Sequence, residues 1–169
     1  MKKLIVLFVL MGILYVFFEV AFGAFSKLFA GEFQLVGASS LYMLIVGGFL
    51  GVTLGIFNTS NWVRKTFNVF VQSLIGAVLI TLIEFISGCI LNIGLGFNLW
   101  NYSMFSLNLC GQVCLPFSII WFLICPFIFW CDDALRFFLY KEGSYYNLLA
   151  VYKDLFCFWK STNHQTMLL

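Results

Sequence analysis

Four stretches of this chain stay apolar for about twenty residues or more: Leu4–Phe25, Leu35–Phe57, Phe67–Asn92 and Leu109–Cys131. A hydrocarbon core of about 30 Å takes about 20 helical residues to cross, so each run reads as a membrane-spanning helix. The second run opens on Val36-Gly37-Ala38-Ser39-Ser40, which leaves its start open down to Leu41. The fourth carries Pro116 and Pro126. Both prolines are expected to kink it, as membrane helices tolerate when neighbours satisfy the freed carbonyls.

Composition agrees with this reading and closes off others. Of 169 residues, 63% are apolar or aromatic and 9% are charged, against about 25% charged in a soluble domain. That excludes a soluble enzyme, a nucleic-acid-binding protein and a disordered tail; a net charge of +2 offers nothing for nucleic acid to bind. Met1-Lys2-Lys3 before an apolar run also fits a signal peptide, with Ala21-Phe22-Gly23 as its cleavage-like site. The run reaches Phe18 and is then interrupted by Glu19, so a retained span is expected. The six cysteines, Cys89, Cys110, Cys114, Cys125, Cys131 and Cys157, show no metal spacing and read as free thiols acting as small hydrophobes.

The basic residues set the expected orientation. Lys2 and Lys3 precede the first span, Arg64 and Lys65 lie between the second and third, and Arg136, Lys141, Lys153 and Lys160 follow the fourth. Only Lys27 falls on the other side, so the positive-inside rule places both termini in the cytoplasm. The segment from Asn92 to Leu109 is uncharged and holds Trp100 and Tyr102, as expected of an outer interfacial loop. Residues 132–169 form a cytoplasmic tail. Within it, Ser144–Lys160 mixes Tyr145, Tyr146, Leu149, Tyr152, Phe156 and Trp159 with Lys153, Asp154 and Lys160, the pattern of a helix lying in the interface. The last nine residues, with the lone His164, read as a frayed end.

The halves of the chain resemble each other. Glu19-Val20-Ala21-Phe22-Gly23 in the first span answers Glu84-Phe85-Ile86-Ser87-Gly88 in the third, and Leu35-Val36-Gly37 answers Leu109-Cys110-Gly111. Two similar helical hairpins related by an axis along the membrane normal would give this pattern. The expected architecture is an all-α membrane protein: a four-transmembrane-helix bundle over residues 1–131 with a cytoplasmic interfacial helix.

Glu19 and Glu84 are the acids inside the spans. At about 1.5 Å per residue, Glu19 lies about 22 Å along its helix and Glu84 is similarly deep. A carboxylate in lipid faces the bundle, pairs or stays protonated. Two readings stay open: a proton, cation or ligand site, or a helix-packing hydrogen bond. Ser73, Gly76, Thr81, Ser87 and Gly88 share the face of Glu84, and Gly12, Tyr15 and Gly23 that of Glu19. Gly47, Gly51 and Gly55 form a small-xxx-small stripe for close helix packing, within the chain or in a homo-oligomer. Asn101, Asn108 and Gln112 either close an outer-facing pocket with Glu84 or simply accompany the interfacial aromatics. Asn58-Thr59-Ser60 and Asn101-Tyr102-Ser103 match glycosylation sequons, a short pattern common by chance. There is no GxxxxGK[ST], GxSxG, HExxH or paired CxxC, so no catalytic residue, metal ligand or cofactor is expected, and the chain is not expected to be an enzyme.

Three runs carry a family resemblance: Ile83-Glu84-Phe85-Ile86-Ser87-Gly88, Leu99-Trp100-Asn101-Tyr102-Ser103, and Leu107-Asn108-Leu109-Cys110-Gly111-Gln112-Val113-Cys114-Leu115-Pro116-Phe117-Ser118. With Trp121, Asp132-Asp133 and Arg136, and more loosely Leu35-Val36-Gly37 and Ser40-Leu41-Tyr42-Met43, they resemble the putative ABC-transporter type IV family. These are small bacterial membrane proteins labelled ABC transporter permeases. Asn101 stands where the family pattern has Asp, so any charge-dependent role there is in doubt. The resemblance implies a permease-like subunit of the bacterial inner membrane, with a separate ATPase chain as its partner. A non-transporting scaffold or regulatory subunit, and a proton-coupled small carrier using Glu84, are the alternatives.

Overall fold

The computed structural model describes residues 2–29, 31, 33 and 35–157. Among the described residues, four helices are long and apolar enough to cross a membrane: Lys2–Phe29, Leu41–Thr59, Val69–Gly94 and Leu115–Tyr140. We number the helices α1 (Lys2–Phe29), α2 (Leu41–Thr59), α3 (Asn61–Thr66), α4 (Val69–Gly88), α5 (Leu115–Tyr140) and α6 (Leu148–Phe156). A π-helical segment, Cys89–Gly94, extends α4, and two-residue strands β1 (Asn108–Leu109) and β2 (Val113–Cys114) form an antiparallel hairpin.

The helix ends differ from the expected runs for local reasons. Helix α2 takes the later start, because Ser40 Oγ accepts the Tyr42 amide at 3.2 Å and caps the helix there. Asn68 caps α4 by accepting the Val71 amide at 2.9 Å, which moves that start from Phe67 to Val69. Leu109, expected inside the fourth span, pairs with Val113 in the hairpin. Pro116 then falls in the first turn of α5, where its missing N–H costs nothing. It begins the helix and does not kink it, so only Pro126 interrupts the α5 interior. At the other end α5 runs nine residues past Cys131, because the charges there are paired and the aromatic pattern continues to Tyr140.

The chain divides into two compact units, Met1–Val52 and Thr53–Leu169, with the division inside α2. In the first unit, glycines bring α1 and α2 close. Gly47 lies against Tyr15, Gly48 against Phe8 and Gly51 against Met11, while Gly12 faces the Leu44 carbonyl. The Phe8 and Phe49 rings meet edge to face at 5.2 Å. Lipid tails are as apolar as leucine, so this close approach supplies the packing that hydrophobicity cannot.

In the second unit α4 and α5 pair along their length. Gly76 sits under Cys125 and Phe129, and Gly88 under Gln112. Helix α6 covers one end of the pair, with Val151 and Leu155 buried against Val69 and flanked by Phe70, Phe122, Tyr146 and Tyr152. Asn147 caps it through the Leu149 amide at 2.9 Å. Trp159, Lys160 and His164 of the expected tail lie outside the described residues.

Candidate functional site

In the first unit Glu19 is half-buried and its carboxylate accepts a hydrogen bond from the Ser39 hydroxyl. In the second unit Glu84 is buried, and its Oε2 accepts the indole N–H of Trp121 at 2.7 Å. One turn away the Thr81 hydroxyl donates to Ser118 Oγ at 3.1 Å. Each in-span acid is therefore held by a donor from the facing segment of its own unit. Gly23, four residues after Glu19, approaches Gly37, and Gly88, four after Glu84, approaches Gln112.

The hydrogen bonds of Asn101, Asn108 and Gln112 run to loop backbone and to Asn92. They serve the loop between the π-helical segment and α5. Asn101 Oδ1 accepts the Ser103 amide at 2.8 Å. Asn108 Oδ1 accepts the Gly111 amide at 2.9 Å while its Nδ2 donates to the Phe105 carbonyl at 2.7 Å. Gln112 Oε1 accepts from the buried Asn92 at 2.8 Å, and the Gln112 carbonyl accepts the Trp100 indole N–H at 2.9 Å. Asn92 Oδ1 accepts the Leu99 amide at 2.7 Å. In this role Asn101 contributes only an acceptor oxygen, which needs no charge.

Of the glycine stripe, Gly47 and Gly51 pack on α1 within the first unit. Gly55 serves a feature that sequence reasoning passed over, a buried charge cluster. Asp132 Oδ2 accepts Arg136 Nε at 2.6 Å, and Asp132 Oδ1 lies over Gly55. Asp133 Oδ1 accepts Arg64 Nη2 at 2.6 Å, and Asp133 Oδ2 accepts the Tyr146 hydroxyl at 2.7 Å. Arg64 Nε also donates to the Asn58 carbonyl at 2.6 Å. Two arginines and two aspartates balance, with Asp132 and Arg136 buried and Arg64 and Asp133 partly exposed; pairing is the condition for the buried two. Asp132 Oδ1 and Asn58 Nδ2 are buried there with no hydrogen-bond partner. Burial first, and then the charge and hydrogen bond of Asp133, push the Tyr146 hydroxyl above its ordinary value of 10.0. The signal was present in the sequence: Asp132 and Arg136 are four apart inside a helical apolar run, the spacing of a pair on one face.

This cluster ties four elements of the second unit: the end of α2, the short α3, the far end of α5 and the approach to α6. Its hydrogen bonds fix the positions of these elements. Among the described residues no three His, Cys, Asp or Glu side chains gather closely enough to hold a metal ion. All six cysteines are free, with Cys114, Cys125 and Cys131 buried.

Among the described residues, four helices of spanning length and apolar composition define a multi-pass membrane protein. The chain belongs to the family described as putative ABC-transporter type IV, which matches residues 6–152. No curated protein and no solved structure matched it.

Proposed function

We propose that this chain is a permease-like subunit of a membrane transport system, with no catalytic chemistry of its own, energised by a separate ATPase chain. The family match over residues 6–152 carries the reading. The lack of a GxxxxGK[ST] run supports the separate ATPase, since nucleotide hydrolysis by the P-loop route needs that backbone cradle and its lysine. The basic residues support a bacterial inner-membrane orientation with both termini cytoplasmic. A neighbouring gene for a P-loop ATPase provides the test. Co-expression should hold that ATPase at the membrane in a form that washing with salt-free buffer does not remove; an ATPase that stays soluble sinks the reading.

One observation favours a second reading, a non-transporting scaffold or regulatory subunit. Glu84, Asn101, Asn108 and Gln112 are engaged by internal hydrogen bonds, as packing residues would be. The variant Glu84→Gln separates these from a proton-coupled carrier. Glutamine keeps an acceptor for the Trp121 indole and loses only the titratable proton. A phenotype retained in Glu84→Gln excludes Glu84 as a coupling acid, and a pH-dependent activity lost in it establishes that role.

A further inference from the structure

Two buried polar atoms of the charge cluster have no partner, Asp132 Oδ1 and Asn58 Nδ2. Asp132 is 1% exposed and Asn58 is 5% exposed, so bulk water reaches neither side chain. Polar groups this deep in folded proteins are hydrogen-bonded, and each exception calls for an explanation. The two atoms have opposite needs. Asp132 Oδ1 accepts, its sister oxygen Oδ2 being taken by Arg136 Nε. Asn58 Nδ2 is an amide nitrogen and only donates.

Their placement on α2 puts them one bridge apart. The Asp132 carboxylate rests on the bare backbone of Gly55, where a methyl would stand 2.5 Å from Oδ1. Asn58 follows three residues along α2, on the same face, and Cβ positions at that spacing lie about 5–6 Å apart. Two hydrogen bonds of about 2.7–3.0 Å laid end to end cover such a gap. Charge selects what can fill it. Arg136 Nη2 stands 3.1 Å from the same point over Gly55, so a cation would be repelled. An anion would meet the Asp132 carboxylate. The pairs Arg64–Asp133 and Arg136–Asp132 leave no net charge to balance. A small neutral molecule that both donates and accepts fits, and water is the one that protein interiors hold between such groups.

We propose that Asn58 and Asp132 hold one internal water molecule between α2 and α5, which accepts from Asn58 Nδ2 and donates to Asp132 Oδ1. The water joins the two ion pairs into a single hydrogen-bonded chain. One arm runs from Asp133 through Arg64 to the Asn58 carbonyl. The other runs from the Asn58 amide through the water to Asp132 and Arg136. The site depends on neither transport nor an ATPase partner, so its failure would leave the proposed function untouched.

The test is a crystal structure of the full wild-type chain, grown from a lipidic mesophase in rubidium bromide, at a resolution that shows ordered water. The expected result is one density peak within hydrogen-bonding distance of both Asn58 Nδ2 and Asp132 Oδ1, with no anomalous signal. Rubidium or bromide signal at that peak makes the occupant an ion and overturns the proposal. A direct bond between Asn58 and Asp132, or the absence of any peak between them, overturns it equally. Gly55→Ala gives a second readout, because its methyl must push the carboxylate off α2. The bridging peak is expected to vanish in that variant while the Arg64–Asp133 contact stays. A peak still bonded to both partners overturns the assignment.

Discussion

At the scale of single residues, the strongest constraints sit in the charge cluster. Breaking a buried pair strands the remaining charge, so Arg136→Ala should cost about 3–5 kcal/mol of stability. The double replacement Asp132→Leu with Arg136→Met should cost far less than the sum of the single changes, which equilibrium unfolding in mixed micelles will show. Gly55→Ala would place a methyl 2.5 Å from Asp132 Oδ1 and should cost about 1–3 kcal/mol in the same assay. Tyr146 adds a pH dependence. Its hydroxyl holds its proton more tightly folded than unfolded, for reasons of burial and of Asp133. Its contribution is therefore complete below the ordinary tyrosine value of 10.0 and is lost as pH rises above it. Stability should be level from about pH 7 to 9 and fall beyond pH 10, and Tyr146→Phe should flatten that fall. Glu19 and Glu84 were legible in the sequence because an acid among aliphatics stands out. Asp132, Asp133 and Arg136 were equally visible but read as tail, since nothing local reveals that Arg64, about seventy residues earlier, returns to neutralise them.

At the scale of elements, caps and prolines decide where helices begin. Because Pro116 occupies the first turn of α5, Pro116→Ala should change stability by no more than about 0.4–1 kcal/mol, mainly through the unfolded chain. Pro126 removes an amide from the interior of α5, and Tyr152 donates its hydroxyl to the Leu123 carbonyl at 3.0 Å close to that break. Helix α6 is thus held by its apolar side, and the Tyr152 hydroxyl adds to that hold. Leu155, almost fully buried, is the main anchor. Leu155→Ala should cost about 2–5 kcal/mol of local packing, seen as faster limited proteolysis between Glu142 and Leu148 while the spans remain protected. The sequence announced four long helices and an amphipathic sixth through hydrophobic length and aromatic pattern. It did not announce the π-helical turn after Gly88 or the hairpin at Asn108–Cys114, where the amides of Asn92, Asn108 and Gln112 bond loop backbone and, between Asn92 and Gln112, each other across twenty residues.

At the scale of the whole molecule, the scarcity of charge specified a membrane protein, and family membership over residues 6–152 specifies the kind. The transport reading we propose pairs this chain with a separate ATPase chain. The direct measurement is affinity purification of the tagged chain from its native membranes in a mild detergent, followed by mass spectrometry and an ATP hydrolysis assay. The account predicts a co-purifying chain with a P-loop, present in near-stoichiometric amount, and vanadate-sensitive ATP hydrolysis that the isolated subunit lacks. A homogeneous preparation of this chain alone, free of any nucleotide-binding partner and of ATP hydrolysis, would contradict it.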